Sequence, residues 1–383
     1  MINFVNPRSP FLIAENCMPP LGLFSMVSVL KRAGIDAQVI DLALGDMIPP
    51  GPIFITGTTA QLGEMMKLKG RGYTVVGGPH ASMNAESLIE HFDCVVVGEG
   101  EDVILDIVKN KPSGIIQAKR IKDLDRLPFP DRTTAGRYDW KINGKRATTM
   151  MTSRGCTGRC SFCCKAVMHK GIYFRSAQSV IDECIHLKAL GFEAIMFYDD
   201  SIMMDADRLF EICAGIKRLG LTWRCFGRSD QVKYNLIKQM ANAGCHEILF
   251  GVESGSQKIL DNIRKDESPE QHLEAIRLAK LVGIKTKALM IAGLPGETRE
   301  TIEESRKFIL EARPDSLDVT ILSVYAGCDI HKHPERYDIE FSEPKWYKGR
   351  NDEYESTVRT SHLNEDDIVM ARDSLWKTFL STK

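Results

Sequence analysis

The sequence predicts an α/β protein of two parallel-sheet domains, and three observations carry that reading. Short apolar runs alternate with helix-length amphipathic stretches over residues 1–110 and again over 147–330. Glycines and carboxylates collect in the turns that follow the apolar runs. The chain has 383 residues, 43% of them hydrophobic, enough to bury more than one core and to form two or three domains. The expected architecture is an N-terminal doubly wound, Rossmann-like parallel sheet, then a partial (β/α)6 barrel, then a C-terminal α extension. The expected boundaries are 1–110, a linker over 111–146, a barrel over 147–330 and an extension over 331–383.

In chain order, residues 2–5 read as a short apolar strand. Pro19-Pro20-Leu21-Gly22 opens a helix to about residue 33, ended by Gly34. Strands are predicted over 37–42, 53–57, 73–76 and 94–97, and helices over 62–69 and 85–91. Gly77-Gly78-Pro79-His80 reads as a turn, and Gly98-Glu99-Gly100-Glu101 precedes another helix. About ten residues, including Pro49-Pro50-Gly51-Pro52, join the strands ending at 42 and starting at 53. A parallel crossover normally takes a dozen or more. One crossover helix is therefore missing, and one sheet face is expected bare or covered by something else. Ligands on such sheets bind at the carboxyl ends of the strands, where the turns at 57–61, 77–80 and 98–101 fall. The prolines of 121–131 favour an extended linker.

A strand over 147–152 restarts the alternation. Strands over 194–198, 222–226, 247–250, 286–291 and 316–323 interleave with helices over 179–190, 209–219, 236–243, 269–282 and 301–312. Chemistry on such barrels sits at the carboxyl strand ends. There lie Asp199-Asp200-Ser201, Arg228, Asp230, Glu253-Ser254 and the loop Gly293 to Gly296. Adjacent residues on a strand face opposite ways, so one of Asp199 and Asp200 is expected inside. The other is expected solvated or paired with Arg228. Taken singly, each carboxylate reads as an exposed loop charge; together they line one rim. Trp223, Cys225 and Phe226 read as core or cavity wall, and Cys184, Cys213 and Cys245 as core. Beyond residue 330 the chain turns polar, with His331, His333, Lys345, Trp346, Tyr347 and Lys348. A last helix over 365–380 follows the N-cap candidate Asn364. This tail is expected to close one side of the barrel and to contact substrate.

Bulk charge excludes some classes. The net charge is -1 with 26% charged residues, so bulk nucleic-acid binding has no support. No apolar run approaches about 18 residues, so no membrane span is expected. Eleven cysteines without a signal-peptide layout argue for a reducing, cytoplasmic setting.

The most specific stretch is 151–164, where Cys156, Cys160 and Cys163 stand in C-x3-C-x2-C spacing. Three thiolates in one loop can hold three irons of a 4Fe–4S cluster, whose usual complement is four cysteines. A missing fourth ligand leaves one iron open. Gly155 and Gly158 let the backbone fold tightly around an inorganic core. The alternative is a zinc site, which usually pairs two C-x2-C knuckles, and no second knuckle exists here.

At this loop the chain resembles the radical SAM superfamily, whose signature includes an aromatic residue before the third cysteine, here Phe162. The resemblance implies that the open iron binds S-adenosylmethionine (SAM). An external one-electron reductant such as ferredoxin or flavodoxin then drives homolysis to a 5′-deoxyadenosyl radical. It implies Asp199 or Asp200 at the SAM amino group, and Glu253 and Ser254 at its ribose and carboxylate. It also implies Arg228 in the same set and Gly293 and Gly296 close to the adenine. The sixth strand departs from the proline-rich turn of one branch, with Val324-Tyr325-Ala326-Gly327-Cys328 in its place. Tyr325 and Cys328 are thus candidate donors of a proton or hydrogen atom, or else pocket wall.

Residues 1–110 resemble the cobalamin-binding domain that precedes the barrel in that branch. The matching pieces are Pro19-Pro20-Leu21-Gly22, Thr56-Gly57-Thr58-Thr59, Gly77-Gly78-Pro79-His80 and Gly98-Glu99-Gly100-Glu101. The implied contacts are Thr58, Thr59, Gln61, Gly77, Gly78, Pro79, His80, Gly98, Glu99 and Gly100. The D-x-H-x-x-G motif that supplies a histidine to cobalt is absent, and His80 reads as part of the turn. Cobalamin is expected without a histidine below cobalt; the alternative is a relic sheet that binds nothing. The implied activity is cobalamin-dependent C-methylation of an unactivated carbon in a small molecule, lipid or peptide residue. Cyclisation or rearrangement by the same radical chemistry is the alternative, and an iron–sulfur electron carrier or sensor is a third.

Overall fold

Near-continuous Val and Ile runs build a sheet that is parallel throughout, as strands buried on both faces require. It comprises β1 (Ile2–Asn6), β2 (Ala37–Asp41), β3 (Ile53–Thr56), β4 (Thr74–Gly77), β5 (Cys94–Val97) and β6 (Gly114–Gln117), in the order β2-β1-β3-β4-β5-β6. The order reverses between β1 and β3, the switch point at which doubly wound sheets open a crevice. The computed structural model describes residues 1–164, 171–343 and 354–383 in two compact units, Met1–Trp140 and Lys141–Lys383.

The β2–β3 connection holds only a 3-10 turn, Leu42–Leu44, so the crossover helix is indeed missing. The connection itself covers that sheet face, with Leu42 and Ile48 packed against the core cluster that includes Ile40, Ile53 and Ile55. Beside it remains a groove of about 410 Å³ between Leu42, Ile48, Leu68 and Arg71. Two expectations change. Pro79 starts a helix, Pro79–Met83, because Gly78 at φ +92 turns the chain directly into it; His80 therefore lies on a helix and not in a turn. Residues 111–140 carry β6, which extends the sheet beyond β5. Beyond it, the Ser28 hydroxyl donates to the Phe129 carbonyl at 2.6 Å, holding the proline-rich stretch against the first unit.

The second unit is a curled seven-stranded sheet. Its strands are β7 (Lys141–Ile142), β8 (Lys145–Met150), β11 (Ala194–Phe197), β12 (Thr222–Gly227), β13 (Cys245–Glu253), β14 (Lys285–Ala292) and β15 (Ser316–Ile321), with the short pair β9 (Ser153–Arg154) and β10 (Tyr173–Phe174) outside it. The order β15-β14-β13-β12-β11-β8-β7 is parallel except for the β7–β8 hairpin. Ser176, Asp205, Ser268, Thr298 and Asn364 cap the helices Ala177–Ala189, Ala206–Ile216, Pro269–Leu281, Arg299–Ala312 and Glu365–Leu380. Each accepts from an N–H of the first turn, which otherwise lacks a partner. Trp223, Cys184, Cys213, Cys225 and Cys245 are buried. The last helix closes the β15 side: Arg372 Nε donates to the Val319 carbonyl at 3.1 Å. Lys345, Trp346, Tyr347 and Lys348 lie outside the described residues. Among the described residues no helix is long and apolar enough to cross a membrane.

Candidate functional site

The cysteine loop leaves β8 at the carboxyl edge of the second sheet. The Gly158 N–H donates to Cys156 Sγ at 3.2 Å. A methyl group on Gly158 would lie 3.3 Å from Cys156 Sγ, 3.9 Å from Cys160 Sγ and 3.4 Å from Arg228 Nη1. Glycine thus leaves open a cradle lined by two thiols and a guanidinium. Cys163 follows on the same turn, its N–H donating to the Cys160 carbonyl at 3.1 Å. Ser161 ties the loop down on two sides, donating to the Ile263 carbonyl at 2.9 Å and accepting from the Ile330 N–H at 3.1 Å. Among the described residues no three Cys, His, Asp or Glu side chains converge on a single ion. A 4Fe–4S cluster takes one thiolate per iron, and three thiols around a glycine cradle fit it. Burial pushes the Cys160 thiol up to about 11, against the pull of Lys265 and Arg228. Phe162 is half-buried.

A buried charge array flanks the loop. Lys265 Nζ lies 3.2 Å from Glu253 Oε1 and 3.2 Å from Glu267 Oε2. Arg228 Nη2 lies 3.0 Å from Asp230 Oδ2 and 3.6 Å from Glu267 Oε2. It pairs with these rather than with Asp199 or Asp200. Glu267 Oε1 accepts from the Ser229 N–H at 2.6 Å and the Asp230 N–H at 3.2 Å. Burial alone would lower the Lys265 ammonium; Glu253 and Glu267 more than reverse it. Glu253 itself holds φ +63, a left-handed conformation that is costly outside glycine, and the β13–β14 register shifts beside it. That bulge swings its carboxylate towards Lys265.

Of the two aspartates, Asp199 is the inward one, 1% exposed. Its Oδ1 accepts from the Thr152 N–H at 2.9 Å, the Thr152 hydroxyl at 3.0 Å and the Ser153 hydroxyl at 2.6 Å. Its Oδ2 is buried without a hydrogen-bond partner. Burial raises its carboxyl. Asp200 is half-buried.

Other expected contacts meet partners within the protein itself. Ser254 is buried against Ser305, the two hydroxyls 3.2 Å apart. A methyl on Gly293 would meet Ile368 at 3.0 Å, and one on Gly296 would meet Asn262 Nδ2 at 2.4 Å. These glycines, at φ +85 and +79, therefore admit the protein's own side chains. Cys328 is 0% exposed and caps the helix Asp329–Lys332, its Sγ accepting from the His331 N–H at 3.4 Å. Burial raises both the Cys328 thiol and the half-buried Tyr325 phenol; Cys163 adds to the first and Cys164 to the second.

In the first unit, Thr58, Pro79 and Gly98 are exposed along the carboxyl ends of β3, β4 and β5. A methyl on Gly78 would lie 2.3 Å from Thr56 Oγ1, so the turns are in close contact. Several polar side chains there serve the unit itself. Gln61 accepts from the Thr58 N–H at 3.0 Å and donates to the Pro7 carbonyl at 3.0 Å. Glu99 accepts from the Ile121 N–H at 2.7 Å. Buried His80 has Nδ1 3.1 Å from Thr59 Oγ1. Gly77 and Gly100 are half-buried.

Sequence reasoning missed Lys265, Glu267 and Glu297. Within Arg264-Lys265-Asp266-Glu267, Lys265 and Glu267 are buried while Arg264 and Asp266 are exposed. Positive φ at Arg264 and Asp266 produces that alternation. Glu297 is buried, accepts from the Gly293 N–H at 2.6 Å, and is pushed up to about 7 by burial.

Comparison with known proteins bears on the family and the fold. Residues 150–309 match the radical SAM superfamily. The chain is 29% identical over 359 residues to an uncharacterized methyltransferase of Pyrococcus horikoshii, covering 82% of this chain and 78% of that protein. It is 29% identical over 293 residues to the anaerobic magnesium-protoporphyrin IX monomethyl ester cyclase of Rubrivivax gelatinosus, covering 67% of this chain and 52% of that protein. Its fold is similar to that of the radical SAM methyltransferase TsrM from Kitasatospora setae, solved with cobalamin and a 4Fe–4S cluster bound. The TM-score is 0.72 at 16% identity, over 90% of this chain and 80% of that one.

Proposed function

Because residues 150–309 belong to the radical SAM superfamily, we propose that this enzyme is a cobalamin-dependent methyltransferase acting on an unactivated carbon. The reading is carried by one combination: a three-thiol loop at the carboxyl edge of a six-unit barrel, in a chain that also has a doubly wound sheet with its own exposed carboxyl edge. The fold likeness to a cobalamin-binding methyltransferase runs over 90% of the chain and so includes both parts.

When bound, the cluster and SAM would supply one-electron access to a carbon radical, and cobalamin would supply the methyl group. The chain's own residues divide the remaining work. Cys156, Cys160 and Cys163 would hold three irons. The unpartnered Oδ2 of Asp199 is a buried acceptor suited to an ammonium group such as that of SAM. Glu253, held by Lys265, offers a second acceptor. Backbone along Thr58, Pro79 and Gly98 would receive cobalamin. Tyr325, beside Cys164, is better placed than the capped Cys328 to meet a substrate. The substrate is a small molecule, a lipid or a peptide residue, and an external one-electron reductant is required. A second reading, ring closure, is favoured by the 29% identity to the cyclase.

Anaerobic reconstitution with hydroxocobalamin tests the proposal. Four irons per chain, corrin retained through gel filtration, and release of 5′-deoxyadenosine under strong reductant are expected. The Co(II) paramagnetic spectrum should lack nitrogen splitting from a histidine. Loss of all corrin on the column would remove methyl transfer through cobalt and leave the cyclisation reading.

A further inference from the structure

Lys265 stands where the two halves of the site meet. The loop that carries it is fixed against the cysteine loop by the Ser161–Ile263 hydrogen bond of 2.9 Å. Its backbone carbonyl accepts from Arg228 Nη2 at 3.1 Å, and Arg228 Nη1 lines the Gly158 cradle. Its ammonium bridges Glu253 and Glu267 at 3.2 Å each. The two carboxylates are not equivalent. Glu267 is wholly buried and anchored by two backbone N–H donors. Glu253 has no such anchor and sits on a strained backbone at φ +63. Lys265 is therefore a strut from a carboxylate fixed by backbone donors to one that Lys265 itself holds in place.

We propose that Lys265 is a positioning residue, holding Glu253 in place and setting the charge felt at the cysteine loop, given the cluster-binding reading of that loop. Lys265 is 6% exposed, so water and salt screen its charge weakly. Reduction adds one electron to a cluster already bound by thiolates. A nearby buried cation stabilises that added charge, and net charge is one of the determinants of cluster potential. Glu267 works in the opposite sense, because its carboxylate offsets part of the Lys265 charge. The two residues thus make opposite contributions, which a purely structural role would not produce.

The test is an anaerobic redox titration of the reconstituted protein, followed by paramagnetic resonance, with iron counted for each variant. Lys265→Met is expected to shift the midpoint potential negative, and Glu267→Gln to shift it positive. Each change should alter the reduced-to-oxidised ratio at fixed potential by about tenfold, about 59 mV for a one-electron couple. Lys265→Arg, which keeps the charge, should stay near the parent value. Lys265→Met should also weaken SAM binding, since Glu253 loses its strut. Shifts of the same sign, or none, would overturn the proposal. Should Lys265→Met fail to retain iron, the sign of the Glu267→Gln shift decides alone. A parent protein that holds no cluster would instead sink the cluster reading itself.

Discussion

Replacing Gly251 by alanine is the cleanest probe of the Glu253 geometry. Gly251 lies in β13 outside the left-handed region, so an added methyl costs no backbone strain. That methyl would lie 2.5 Å from Glu253 Oε1 and 3.0 Å from Lys265 Nζ. Ordinary contact begins near 3.4 Å, so the carboxylate must retreat by about 0.9 Å. Its freedom to do so is small, because the bulge and Lys265 both hold it. Overpacking of this kind costs about 1–3 kcal/mol. If the loss falls on the pose that receives SAM, the dissociation constant rises by about 5- to 150-fold. Equilibrium dialysis of reconstituted Gly251→Ala against SAM measures this directly. Iron content should stay at the parent level, because the three thiols are untouched. Gly63→Ala, with nothing within 4 Å of the added methyl, is the inert control. Unchanged SAM affinity in Gly251→Ala with iron intact would refute the assignment of Glu253 to the cofactor face.

Cys156→Ala, Cys160→Ala and Cys163→Ala should each lose the cluster, read as iron per chain, whereas Cys164→Ala should keep it. Glu297, with its carboxyl raised to about 7, destabilises the fold when ionised, so its contribution declines as pH rises from about 4.5 to 7 and stays low above. The full span is about 3 kcal/mol. His272, lowered to about 3 by burial with Lys265 and Arg228, acts in the opposite direction between about 3 and 6.5, since it must stay neutral in the fold. The parent profile therefore flattens where the two windows overlap. Denaturant midpoints at pH 5 and pH 8 should show Glu297→Gln gaining relative to the parent at the higher pH; an equal difference at both would contradict the assignment. His80→Ala should leave the Co(II) spectrum of bound cobalamin unchanged, and the appearance or loss of nitrogen splitting would show that His80 reaches cobalt.

Local signals made much of this protein legible. Asn364 marks the start of the last helix because a short polar side chain satisfies the first-turn N–H groups whatever the rest of the chain does. The missing crossover helix is legible because a count of residues bounds what a connection can span. The cysteine loop is legible because its candidate ligands sit only seven positions apart from first to last, around Gly158. The surroundings of Gly293 and Gly296 were not legible, for the complementary reason. Their positive φ is a local property, but what approaches the bare backbone is Ile368 and Asn262, which no local pattern could identify.

The sequence by itself determined the alternation of strands and helices, the cysteine spacing and the set of polar residues at the carboxyl rim. Each depends on neighbours within a few positions, where periodicity and covalent reach act. Tertiary structure alone decided which of these groups meet. Lys265 joins Glu253 across 12 positions and Arg228 reaches Asp230 and Glu267 instead of the paired aspartates. It also decided that Asp199 turns inward with one oxygen unpartnered, and that a charge run at 264–267 buries alternate members. Charge attraction is long-ranged and weakly directional, so composition supplies candidate partners without choosing among them. The choice is made by strained backbone at Glu253, Arg264 and Asp266 and by strand register, which aim each side chain before its charge can act.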